Sequence, residues 1–92
     1  MATFLIHKSN EETEVIKLDK EFLTLGRRDD NDVVLDDMFV SRRHAEVIKK
    51  GEHYIIKDHQ SRYGTFVNGE RITEKRLDYG DEIQLGNIVI TF

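Results

Sequence analysis

Thr65-Phe66-Val67-Asn68-Gly69-Glu70-Arg71-Ile72 reads as two short strands joined by a two-residue turn. A tight hairpin needs positive φ at its two central residues, and asparagine and glycine both tolerate it. The pair therefore predicts a hairpin that lays Thr65–Val67 against Arg71-Ile72. Outward from this turn the same pattern repeats. Before it come the β-favouring runs Phe4-Leu5-Ile6, Val15-Ile16-x-Leu18, Phe22-Leu23-Thr24-Leu25, Val33-Val34-Leu35, Ala45-x-Val47-Ile48 and Tyr54-Ile55-Ile56. After it come Ile83-x-Leu85 and Ile88-Val89-Ile90-Thr91-Phe92. Ser9-Asn10, Lys50-Gly51, Tyr79-Gly80-Asp81 and Gly86-Asn87 punctuate the series, and proline is absent. About ten or eleven short strands at this spacing predict an all-β sandwich or barrel. There is no internal repeat, linker or low-complexity tract.

Composition narrows the function classes. A chain of 92 residues forms one domain, residues 1–92, with room for a modest core. It is 38% hydrophobic and 35% charged, as a well-solvated globule requires. No apolar run is long enough to cross a bilayer, and no basic-then-apolar leader opens the chain. The absence of cysteine removes disulfides and thiolate metal sites, which fits a reducing intracellular compartment, cytoplasmic or nuclear. The last strand-like run stops at Phe92 without a polar tail, so the expectation is a domain cut from a longer protein. A net charge of −4 disfavours nucleic acid and anionic membrane as partners, since both call for an extended basic surface.

Positive charge is instead local. Five of the seven arginines (Arg27, Arg28, Arg42, Arg43 and Arg62) fall in turn-like segments between the strands, while every lysine lies outside them. Those segments also carry Ser41, Ser61, Thr65 and Asn68 as short donors, with Gly26, Gly64 and Gly69 allowing close backbone approach. A planar, permanently charged guanidinium matches phosphate oxygens in pairs. The combination is that of an anion binder.

In order and spacing these segments resemble the forkhead-associated (FHA) domain family. The resemblance rests on Gly26-Arg27, Asn31-Asp32 with Val33-Val34-Leu35, and Val40-Ser41-Arg42-x-His44-Ala45. It continues through Asp58-x-x-Ser61-x-x-Gly64-Thr65-Phe66-Val67-Asn68-Gly69 and Gly80-Asp81-x-Ile83-x-Leu85-Gly86. It covers the chain from about Phe22 to the end. It implies a two-sheet, mostly antiparallel sandwich with recognition loops at one end. The implied function is non-enzymatic recognition of phosphothreonine in a protein or peptide marked by a Ser/Thr kinase, with no cofactor.

The resemblance also implies roles. Arg27 and Ser41 would hold the phosphate, with Arg42 and Arg62 donating beside them. Asn68 would bond the peptide main chain, although as the first turn residue it has a conformational role of its own. Tyr63 departs from the pattern, because many members carry asparagine before Gly-Thr; here an aromatic wall replaces an amide against the peptide. His44 would brace the serine loop from behind, and Gly26, Gly64, Thr65 and Gly69 would shape the loops. Arg28 and Arg43 are expected on a solvated face, with Arg43 opposite Arg42 if the segment is extended.

Rival readings are weaker. The acidic run Asp29-Asp30-Asn31-Asp32 fails the calcium-loop alternation in both frames, at Val33 or Val34, and is expected to be a solvated turn. His7, His44, His53 and His59 show no metal-ligand spacing. No nucleophile–base pairing and no phosphate-cradling glycine loop is present, so an enzyme is not expected. The other reading is a phosphate-independent interaction domain on the same sandwich.

Overall fold

The computed structural model describes residues 2–8 and 11–92 and contains strands and turns only. The strands are β1 (Thr3–His7), β2 (Thr13–Lys17), β3 (Phe22–Gly26), β4 (Val33–Val34), β5 (Ala45–Lys50) and β6 (His53–Asp58). They continue with β7 (Thr65–Val67), β8 (Glu70–Ile72), β9 (Glu74–Arg76), β10 (Glu82–Leu85) and β11 (Ile88–Thr91). They form a six-stranded sheet in the order β2-β1-β11-β10-β7-β8 and a five-stranded sheet in the order β4-β3-β5-β6-β9. Every pairing is antiparallel except β3 with β4. The sandwich is thus the one expected. The turn expected at Ser9-Asn10 lies outside the described residues.

Period-two patterning places the core. Phe4 and Ile6 of β1, Ala45 and Val47 of β5, Ile83 and Leu85 of β10 and Ile90 of β11 all point between the sheets and are buried. Leu25 and Ile56 face them from the second sheet. Burying each large apolar side chain contributes about 1.5–3 kcal/mol, so the alternation fixes the register of both sheets.

The predicted hairpin forms, with Thr65↔Ile72, Phe66↔Arg71 and Val67↔Glu70 in register. Asn68 and Gly69 take φ of 52° and 84°, the positive values the turn requires. One strand carries no apolar signal in the sequence. β9, Glu74-Lys75-Arg76, pairs only with β6 at the edge of its sheet, where charged side chains discourage further strand addition. Its Lys75 Nζ donates to Asp81 Oδ2 at 2.8 Å, joining this edge to the turn before β10 in the other sheet.

Direction along the strands gives the molecule two poles. Strand ends Gly26, Asp58 and Leu85 and strand starts Ala45, Thr65 and Ile88 meet at one pole. β1 begins and β11 finishes at the other, as the pairing Leu5↔Thr91 dictates.

Candidate functional site

Three loops crowd the first pole, spanning residues 27–32, 35–44 and 59–64. The first two are zipped together through their backbones. The Arg27 N–H donates to the Ser41 carbonyl at 3.0 Å and the Arg28 N–H to the Arg42 carbonyl at 3.3 Å. Asn31 is buried beneath them and donates from Nδ2 to the carbonyls of both Arg28 and Arg42, each at 2.8 Å. Gly26 lies where this zip begins. A Cβ there would press inside van der Waals contact with the Arg42 carbonyl oxygen, so only glycine admits the approach.

His44 joins the second loop to the third. Fully buried, its Nδ1 accepts the Ser41 N–H at 3.0 Å and its Nε2 donates to the Gly64 carbonyl at 2.9 Å. That arrangement fixes the neutral tautomer with hydrogen on Nε2. Burial pushes the imidazole pKa below its ordinary value, against the opposing pulls of the Gly64 carbonyl and the Asp58 carboxylate. Bracing is therefore the geometry His44 has, and both ring nitrogens are committed to it.

Asp58 organises the third loop. Its Oδ1 accepts the hydroxyls of Ser61 at 2.6 Å and Thr65 at 2.7 Å, and its Oδ2 the Ser61 N–H at 3.2 Å. Ser61 Oγ in turn accepts the Gly64 N–H at 2.9 Å. Burial opposes the Asp58 charge, but these donors outweigh it and hold its pKa below the usual carboxylate value. Gly64 has φ of 93°, and a Cβ on it would meet Arg71 Nε at 2.8 Å. These bonds set the loop's shape, and it presents the Arg62 N–H to Ser41 Oγ at 3.1 Å.

Between the loops lies an open hollow of about 310 Å³ lined by Arg27, Ser41, Arg42, Arg62, Met38 and Tyr63 among others. The structure thus brings together the four residues expected to meet phosphate. Because Ser41 Oγ accepts from Arg62, its hydroxyl hydrogen is left to donate. Among the described residues no carboxylate forms an ion pair with Arg27, Arg42 or Arg62, whereas Arg28 and Arg43 share Asp30 at 3.3 and 3.6 Å. Arg28 and Arg43 are thus partnered in a charged cluster on the exposed turn expected for the acidic run. Asp32 of that run is structural too, accepting the Thr24 N–H at 2.9 Å and Lys20 Nζ at 2.7 Å.

Tyr63 stands at the rim. Its ring meets Phe39 edge-on at 5.3 Å, and the Arg62 guanidinium sits 5.4 Å from its centre. This aromatic pair separates the arginine hollow from a second one of about 340 Å³, lined by Phe66, Gln84 and Asn87 as well as Phe39 and Tyr63. Asn68 does not line either hollow. Its Nδ2 donates to Asp81 Oδ1 at 2.9 Å and its Oδ1 accepts the Glu82 N–H at 3.0 Å, so its amide fastens the hairpin turn to the β10 segment. The conformational role expected of Asn68 is therefore the one this geometry displays.

Sequence reasoning gave no role to Asp58, Asn31, Asp37 or Phe39. Asp58-x-x-Ser61 was a readable side-chain turn signal, and Met38-Phe39 a readable apolar interruption of a polar turn. Asp37, which accepts the N–H groups of Phe39 at 3.0 Å and Asn87 at 3.2 Å, depends on a partner far along the chain. Among the described residues no three histidine, aspartate or glutamate side chains gather as a metal site needs, and no helix is long and apolar enough to cross a membrane.

Fold and loops together define a β-sandwich module whose arginines converge on a serine at one pole. Residues 23–86 match the family model of the FHA domain. The chain belongs to the FHA domain family. It is 45% identical over 75 residues to the oxoglutarate dehydrogenase inhibitor of Corynebacterium jeikeium, an alignment covering 82% of this chain and 52% of that protein. It is 41% identical over 75 residues to the glycogen accumulation regulator GarA of Mycolicibacterium smegmatis, covering 82% and 48%. The chain therefore spans about half the length of these curated relatives. Among solved structures, it superposes on an FHA domain studied for phosphothreonine-dependent interactions with a TM-score of 0.88, at 30% identity and coverage of 98% and 94%. It superposes likewise on EmbR of Mycobacterium tuberculosis in complex with a low-affinity phosphopeptide, with a TM-score of 0.84, 34% identity and coverage of 99% and 24%.

Proposed function

We propose that this domain reads phosphothreonine on partners marked by a Ser/Thr kinase and so recruits its parent protein to them. The observation that carries the reading is the hollow in which Arg27, Arg42 and Arg62, unpaired with any carboxylate among the described residues, surround the available hydroxyl of Ser41. A phosphate of roughly −1.5 to −2 charges suits such a set, and each hydrogen bond to it contributes about 1.5–3 kcal/mol. Arg27 and Ser41 take the primary contacts, Arg42 and Arg62 flank them, and Tyr63 meets the peptide beside the phosphate. His44, Gly26, Gly64, Thr65 and Gly69 hold the loops in place. The module works by binding alone, a reading supported by the buried histidine of the site, which has both ring nitrogens committed and none to act as a base.

A phosphate-independent docking mode is the second reading, and the exposed Met38, Phe39 and Tyr63 at the hollow's rim favour it. Titration of matched phosphothreonine and unphosphorylated peptides separates the two. The first reading expects binding of the phosphorylated form only; equal affinity for both forms rejects it.

A further inference from the structure

The first pole carries more cationic surface than one phosphate uses. Arg27 and Arg42 line not only the hollow around Ser41 but also a second, more open one of about 320 Å³, whose third wall is Arg28. Arginine alone lines this second hollow. The loop zip holds the backbones of the three residues side by side, through the Arg27–Ser41 and Arg28–Arg42 bonds and the Asn31 amide, and their side chains line one hollow. Like charges gathered around one hollow repel, and a bound anion relieves the repulsion.

We infer that this arginine-only hollow is a second anion subsite, which takes a carboxylate or phosphate on a residue next to the phosphothreonine of the same ligand. The inference rests on the phosphothreonine reading, because Arg27 and Arg42 place the two hollows side by side. Arg28 has a local partner in Asp30, at 3.3 Å, but that pair is solvent-exposed and weak. Arg43 also holds Asp30, at 3.6 Å, so Asp30 keeps a partner when Arg28 turns to the ligand. The ion-paired cluster is thus an exchangeable one: Asp30 is passed to Arg43 and Arg28 to the incoming anion.

The experiment uses a set of phosphothreonine peptides with alanine, glutamate or a second phosphothreonine immediately before or immediately after the first. Isothermal titration is run on the wild-type domain and on Arg28→Ala and Asp30→Asn. The expected result is about a two- to fivefold tighter Kd for glutamate in one of the two placements, the size an exposed charge pair supports, and a larger gain for phosphothreonine. Arg28→Ala should remove most of that gain while leaving the alanine peptide's affinity within about twofold, and Asp30→Asn should enlarge it. No gain from either anion in either placement overturns the inference, as does a gain that survives Arg28→Ala in full. If no phosphothreonine peptide binds, whatever its neighbours, it is the underlying reading that fails.

Discussion

At Ser41 one oxygen serves both sides of the site. It accepts the Arg62 N–H, which ties two loops together, and its hydrogen remains to meet the ligand. Ser41→Ala should therefore weaken phosphopeptide binding by roughly tenfold or more, the loss of a bond to a charged group. Arg27→Ala should weaken it at least as much, and Arg27→Lys should rescue little, because an ammonium does not reproduce the planar fork. Calorimetry on variants shown to be folded by circular dichroism checks both; unchanged affinity in folded Arg27→Ala removes that residue from the clamp. His44 acts differently, through stability. Its folded pKa is depressed by burial, so the neutral form stabilises the fold fully above the ordinary imidazole value of 6.5 and that contribution is lost as pH falls below it. Thermal melts from pH 8 to 5 should show Tm declining on the acid side, with a smaller decline in His44→Gln. Equal declines in the two proteins exclude His44 as the titrating group.

The elements around the site differ in what pins them. One carboxylate gathers three donors from Ser61 and Thr65, so Asp58→Asn should destabilise the domain by about 1–3 kcal/mol and weaken binding together with it. The same depressed pKa implies that Asp58 stabilises above the usual carboxylate range and that this is lost as pH falls through its folded value. Chemical denaturation at pH 7 measures the first effect. How far such elements could be read in advance follows from where their determinants lie. The hairpin at Asn68-Gly69 and the buried faces of β1, β5 and β10 were legible, because turn chemistry and period-two patterning are local. β9 was not, since Glu74-Lys75-Arg76 offers no apolar face and is held by pairing with β6. At the site, the arginines and Ser41 were legible as a set. The fastening of the Asn68 amide to Asp81 and Glu82 was not, because those partners lie well along the chain and no local pattern announces them.

On the scale of the whole molecule, an acidic chain of net charge −4 meets a doubly charged ligand, so attraction must be short-ranged. Phosphopeptide affinity should fall as pH drops through the phosphate's second ionisation near ~6. It should weaken only moderately between low and physiological salt. Duplex DNA should not compete, since a few arginines at one pole cannot track a phosphate backbone. Competition titrations at several salt concentrations test this, and tight DNA binding would count against the module proposed here. The two-pole layout has a practical corollary. β1 starts and β11 finishes at the pole away from the arginines. A domain anchored to a sensor chip, or fused to a fluorophore, through the residues before β1 or after β11 presents its reading face outward in either case. Reporter builders can choose the attachment end freely, and two such domains joined tail to head would hold their reading faces apart for two marks on one target.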